Sequence, residues 1–151
     1  MSQALPDADT LYYIRNVDSN LYLKVISTGE VMLGPGKIPD SFNLWIFSQE
    51  GASNTFQIFN LTHRRPVTLE KAITKGKYLH LTPMSAANAD EPWIIEESLQ
   101  SNEPGAVTLF YTKFSGFLYS YTKSWPLVVT KENVGQDLVK TYWVLERFDG
   151  V

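Results

Sequence analysis

The sequence predicts an all-β protein built from three copies of one unit, and three observations carry that prediction. Short runs rich in Val, Ile, Phe, Tyr and Trp alternate with Gly, Pro, Asn, Asp and Ser, the pattern of strands and turns. No segment of helical length keeps apolar residues at i, i+3, i+4 and i+7. Three tryptophans recur in matching contexts: Leu44-Trp45-Ile46-Phe47, Pro92-Trp93-Ile94-Ile95 and Tyr142-Trp143-Val144-Leu145.

The tryptophans are spaced by 48 and 50 residues. A second landmark precedes each of them. Tyr12-Tyr13-Ile14-Arg15-Asn16 matches Phe56-Gln57-Ile58-Phe59-Asn60 at an offset of 44, and Thr108-Leu109-Phe110-Tyr111-Thr112 is aligned as the third copy at an offset of 96. The repeats therefore cover about residues 10–50, 54–97 and 105–148. In the first, strands are expected at Leu11–Asn16, Leu21–Ile26, Glu30–Leu33 and Leu44–Ser48, with turns at Asp18-Ser19-Asn20 and Thr28-Gly29. In the second they are Thr55–Asn60, Pro66–Leu69, Tyr78–Leu81 and Trp93–Glu96. In the third they are Val107–Tyr111, Phe117–Tyr121, Leu127–Thr130 and Tyr142–Leu145.

Four strands per unit also describe a propeller blade, but propellers use 4–8 blades. Three four-stranded units around a pseudo-threefold axis make a β-trefoil. The first and fourth strands of each unit build a short barrel, and the middle hairpins cap one end. Alternation in Tyr12-Tyr13-Ile14-Arg15 then points every second residue into the barrel. The linkers between units are short, so the expectation is a single domain over 1–151, a common domain length. A chain of this size buries about 68–70% of its unfolded surface and needs no disulfide or metal for a core. Trp45, Trp93 and Trp143 are its expected centre.

Composition removes several function classes. The chain has no cysteine, which excludes disulfides, thiol nucleophiles and Cys-ligated metal or iron–sulfur centres. His63 and His80, the only histidines, form no closely spaced ligand pair, so no metal and no cofactor is expected. Net charge is −3, against a phosphate-binding nucleic-acid surface. No run of about 18 apolar residues offers a membrane span. The start, Met1-Ser2-Gln3-Ala4-Leu5-Pro6-Asp7, has no signal-peptide pattern, so the expected location is the cytoplasm, with any release by a route needing no signal peptide. There is no Gly-x-Ser-x-Gly elbow. The paired acids Glu96-Glu97 have no base or nucleophile beside them in sequence, and no enzymatic activity is expected. His63-Arg64-Arg65 reads as a solvated turn, His80 as a surface residue, and the sequon Asn60-Leu61-Thr62 as unused.

Aromatic residues reach 13%, while charged residues make up only 19%. Most of the aromatics belong to the repeat. Trp125 is the one tryptophan outside it, in Tyr121-Thr122-Lys123-Ser124-Trp125-Pro126, followed by the polar loop Lys131-Glu132-Asn133-Val134-Gly135-Gln136-Asp137. Sugar sites pair an aromatic plate with a few polar groups. Trp125 and Tyr121 with Asn133, Gln136 and Asp137 are the candidate carbohydrate site; alternatively Trp125 covers the barrel end.

The three Trp-bearing strands, the opening Tyr-x-Ile-x-Asn, and the segments Asn16-Val17-Asp18-Ser19-Asn20-Leu21-Tyr22-Leu23 and Thr112-Lys113-Phe114-Ser115-Gly116-Phe117-Leu118-Tyr119 resemble ricin-B-type β-trefoil proteins. The cysteine-free form most resembles the cytoplasmic mushroom β-trefoil lectins and protease inhibitors. The resemblance implies a lectin for galactose- or N-acetylgalactosamine-type glycans, agglutinating through several sites or a homodimer. It implies alternatively a protease inhibitor, for which Gly34-Pro35-Gly36-Lys37-Ile38-Pro39 is a stiffened loop with Lys37 and Ile38 as bait. The pore-forming part of larger fungal lectins is not expected at this length. In that family each sugar site uses an aspartate on the second strand, an aromatic ending the third, and an Asn-Gln pair before the Trp. Here these positions hold Lys24, Thr68 and Ser120; Gly34, Thr82 and Thr130; and Phe42-Asn43, Asp90-Glu91 and Lys140-Thr141. No repeat keeps the full set, so a sugar site here is a rearranged one.

Overall fold

The protein is described by a computed structural model, covering residues 5–27, 30–51, 54–62, 67–68, 78–80, 82–83, 92–112, 115–120, 126–130 and 138–149. The strands of the first repeat are β1 (Tyr12–Asn16), β2 (Tyr22–Val25), β3 (Val31–Gly34) and β4 (Trp45–Gln49). The second has β5 (Thr55–Asn60), β6 (Val67–Thr68), β7 (Tyr78–His80), β8 (Thr82–Pro83) and β9 (Trp93–Glu97). The third has β10 (Ala106–Tyr111), β11 (Gly116–Ser120), β12 (Pro126–Thr130) and β13 (Tyr142–Arg147), the last preceded by a 3-10 turn at Leu138–Thr141.

First and fourth strands close into a ring. β1 pairs with β4, β4 with β5, β5 with β9, β9 with β10, β10 with β13, and β13 back with β1, all antiparallel. This is the barrel expected of a β-trefoil, and a closed ring leaves no barrel edge exposed. β2–β3 and β11–β12 form the expected hairpins. The second repeat departs from expectation. Its third strand is divided: β7 pairs with β12 of the third repeat, while β8 pairs with β6. In the β6–β8 ladder Val67 stands opposite Pro83 and Thr68 opposite Thr82.

Strand alternation sorts the side chains. Tyr12 and Ile14 of β1 point into the barrel core, Tyr13 packs in a separate outer cluster with Tyr22 and Leu44, and Arg15 lies on the flank. Trp45, Trp93 and Trp143 are almost wholly buried, as expected. Trp45 and Trp143 donate Nε1–H to the carbonyls of Leu23 and Leu118, at 3.1 Å each, so each indole tethers a barrel strand to its hairpin.

The strand register corrects the alignment of the third copy by one residue. Tyr12, Phe56 and Val107 stand opposite Trp45, Trp93 and Trp143 of their own repeats. Asn16, Asn60 and Tyr111 stand opposite Trp143, Trp45 and Trp93 of the preceding ones. Val107, not Thr108, is therefore the counterpart of Tyr12, and Tyr111, not Thr112, that of Asn16. Cross-strand pairing decides equivalence, because a one-residue slip would turn every side chain to the wrong face.

Asn16 and Asn60 act as latches between repeats. Asn16 Nδ2 donates to the carbonyls of Lys140 (3.1 Å) and Tyr142 (3.2 Å), and its Oδ1 accepts from the backbone of Asp18 and Ser19. Asn60 Nδ2 donates to the carbonyls of Phe42 (3.0 Å) and Leu44 (3.3 Å), and its Oδ1 accepts from the Thr62 backbone. Tyr111 cannot do this, and its ring lies against Trp93 at 4.7 Å instead. The next residue takes over: Thr112 Oγ1 donates to the Pro92 carbonyl at 2.7 Å. Asn60, the sequon residue, is fully buried with its amide engaged, so glycosylation there would break a latch.

Candidate functional site

Trp125, Tyr121, Asn133, Gln136 and Asp137 lie outside the described residues. What is described is their frame. Ser120 pairs with Pro126 at the end of the β11–β12 ladder, so 121–125 is the loop of that hairpin, and Asn133, Gln136 and Asp137 fall between β12 and the 3-10 turn. His63 also lies outside the described residues, as does the His80 side chain.

The family's sugar-site positions in the first repeat are closed to a plate. Tyr22 pairs with Gly34 and Lys24 with Met32, which lays the Lys24 chain across Gly34: a Cβ at Gly34 would meet Lys24 Cε at 3.0 Å. Asn43 is buried and donates to Asp40 Oδ1 at 2.7 Å, which also accepts from the Phe42 backbone. In the third repeat Ser120 is buried with its hydroxyl 3.4 Å from that of Ser19, and Thr141 bonds the Leu138 carbonyl.

Lys37 and Ile38 are exposed in the loop between β3 and β4, where Gly36 takes a left-handed backbone (φ 77°) that redirects the chain. The Lys37 ammonium pairs with Glu146 at 3.0 Å and lies 5.9 Å from the Tyr13 ring. Glu146 is the hub of a wider cluster. Arg15 Nε donates to it at 2.7 Å and the Tyr22 hydroxyl at 2.9 Å, while Arg15 also grips Glu103 through both terminal nitrogens. Burial works to raise the Glu146 carboxyl; hydrogen bonds from Arg15, Lys37 and Tyr22 overcome it and hold the group below the ordinary carboxylate value. Burial, with the bond to Glu146, pushes the Tyr22 phenol up to about 12. Hydrogen bonds to Glu103 and Glu146 outweigh burial and raise the Arg15 guanidinium. Glu146 and Arg15 are thus committed to structure.

The flank between the second and third repeats is different. Glu96, Thr108 and Tyr142 form one row across β9, β10 and β13. With Glu97, Ser98, Gln100 and the apolar Leu99, Phe117 and Leu138 they line an open groove of about 530 Å³. Glu96 was legible as half of an acidic pair; Tyr142 and Thr108 were missed. The signal for Glu96 is in the repeat itself: Glu96 and Glu146 each stand three residues beyond their tryptophan. Among the described residues no cluster of His, Asp or Glu suits a metal, and no helix is long and apolar enough to cross a membrane.

No protein-family model matches the sequence, and no curated protein matches it. Solved structures do match in fold. The backbone superposes on the BEL beta-trefoil with a TM-score of 0.73 at 14% identity, covering 95% of this chain and 97% of that one. A Polyporus squamosus lectin bound to a human-type influenza-binding epitope gives 0.75 at 13% identity, covering 94% of this chain and half of that one. An exo-beta-1,3-galactanase from Clostridium thermocellum gives 0.73 at 13% identity, covering 95% of this chain but only 31% of that one. These likenesses make the fold a β-trefoil, a frame that carries different activities in different proteins.

Proposed function

We propose that this protein is a carbohydrate-binding lectin of the ricin-B type. It takes galactose- or N-acetylgalactosamine-type glycans at the third-repeat hairpin, with Trp125 and Tyr121 as stacking plates and Asn133, Gln136 and Asp137 as hydrogen-bond partners. The observation that carries this reading is the frame: a trefoil barrel similar in fold to a glycan-bound lectin chain, whose β11–β12 hairpin loop holds the one tryptophan outside the barrel repeat. The first-repeat positions support a shift of site, since Lys24 lies over Gly34 and Asn43 is turned inward. The inhibitor reading gains nothing from a Lys37 already paired with Glu146.

A glycan array tests the class, and Trp125→Ala tests the site. Loss of the plate should weaken the best glycan by at least about tenfold, or roughly 1.4 kcal/mol. Silence of the intact protein on the array and in haemagglutination would sink the lectin reading. Undiminished binding by Trp125→Ala would remove the site and leave the class.

A further inference from the structure

Glu96 is the counterpart of Glu146, but the Arg15 and Tyr22 donors that serve Glu146 have no counterparts around it. Glu146 lies opposite Tyr13 and Glu96 opposite Thr108. Arg15 lies opposite Val144 and pairs onward with Tyr22; Phe110 lies opposite Ile94 and pairs onward with Phe117. The guanidinium and the phenol that serve Glu146 are thus replaced around Glu96 by two phenyl rings, 5.1 Å apart, that cannot donate. Thr108 stands where the large Tyr13 ring stands on the other flank, which leaves space. The carboxylate is kept, and Glu97 adds a second negative charge to the groove wall.

Three further observations say what the space would take. Glu96 has no hydrogen-bond or ion-pair partner among the described residues, and none of the described residues lining the groove is Lys or Arg. Tyr142 is only 6% exposed, yet its hydroxyl has one long contact, 3.5 Å to Gln100 Oε1, at the weak limit of a hydrogen bond. The hydroxyl can therefore take a further hydrogen bond from the groove side. At the rim, Leu99 is 90% exposed and Leu138 45% exposed, apolar surface beyond what a simple amine covers.

We propose that this groove binds an arginine or lysine side chain presented by a partner peptide, with an apolar residue beside it. The cation occupies on Glu96 the place that the protein's own Arg15 and Lys37 occupy on Glu146. The neighbouring apolar side chain covers Leu99 and Leu138. A cation gains the attraction of both carboxylates, which a neutral ligand does not, and the chain's net charge of −3 favours approach of a basic segment.

Titrating the isotopically labelled protein with acetyl-Arg-Leu-amide, followed by NMR, tests it. Saturable shifts at millimolar peptide are expected on Glu96, Thr108 and Tyr142. The citrulline analogue, which has the same shape without the charge, should bind at least about tenfold more weakly, and so should the arginine peptide to Glu96→Gln. Glu96 is exposed, and unchanged shifts for the core amides of Ile14 and Leu109 will show that the variant folds. Trp125→Ala should bind the peptide normally, which separates this proposal from the lectin reading. Equal binding of the citrulline peptide, absence of saturable shifts, or a groove that answers to lactose instead would overturn it.

Discussion

Glu146 accepts from donors on three separate segments: Arg15 of β1, Tyr22 of β2 and Lys37 of the β3–β4 loop. Its carboxyl titrates below the ordinary value, so the folded state favours the ionised form. That contribution is complete above the unfolded value of about 4.3 and is lost as pH falls through the lower folded value. Tyr22 behaves in the opposite sense. Its phenol is raised to about 12, so its contribution is complete below the unfolded value of about 10 and disappears as pH climbs from there towards 12. Glu146→Gln should cost about 2 kcal/mol in urea denaturation at neutral pH, the scale of a hydrogen bond to a charged group. It should also flatten the acid limb of the stability profile and move the Tyr22 titration, read by ultraviolet difference absorbance, towards 10. An unchanged Tyr22 titration would mean that burial alone sets the phenol.

Between elements, the latches predict a graded series. Asn16 and Asn60 are fully buried, and each bonds backbone carbonyls at the start of a neighbouring repeat's fourth strand while bracing its own turn. Replacing either with Ala removes bonds on both sides, at about 2–3 kcal/mol. Thr112→Val should cost only about 1 kcal/mol, because the Thr112 backbone N–H still donates to the Pro92 carbonyl. For a domain of this size each kcal/mol lowers the thermal midpoint by roughly 2–4 °C, so calorimetry can rank the three variants. Equal losses at all three positions would show that the side-chain bonds do not carry the junctions.

Across the whole molecule, the barrel keeps its threefold register while its flanks have diverged. The junction of third and first repeats is charged, through Arg15 and Glu146. The junction of first and second presents an apolar depression beside Ile46, Phe59 and Leu61. The junction of second and third holds the acidic groove. Core positions are constrained by packing from every side, whereas a flank residue need only suit its neighbours. If the groove and the proposed glycan residues act independently, Glu96→Gln should leave glycan affinity unchanged while Trp125→Ala reduces it. The effects of the double variant should add. Coupling between them, measured by glycan titration of all four proteins, would mean that the two sites are one.

The strands of the first and third repeats and the three core tryptophans were legible because each is a local pattern: alternation, turn residues and a recurring indole. The one-residue displacement of Tyr111 was not legible, because equivalence there depends on which residue faces Trp93 across the sheet. The divided strand of the second repeat was hidden for a similar reason: β7 finds its partner in β12, a different repeat. Arg15 and Glu146 are 131 residues apart, and nothing in either neighbourhood announces the other. By itself the sequence determined a threefold all-β barrel and its core, since burial periodicity is written along the chain. Only the tertiary structure decided that Glu146 is saturated by Arg15, Tyr22 and Lys37 while Glu96 faces an open groove, because both outcomes depend on side chains brought alongside from distant strands.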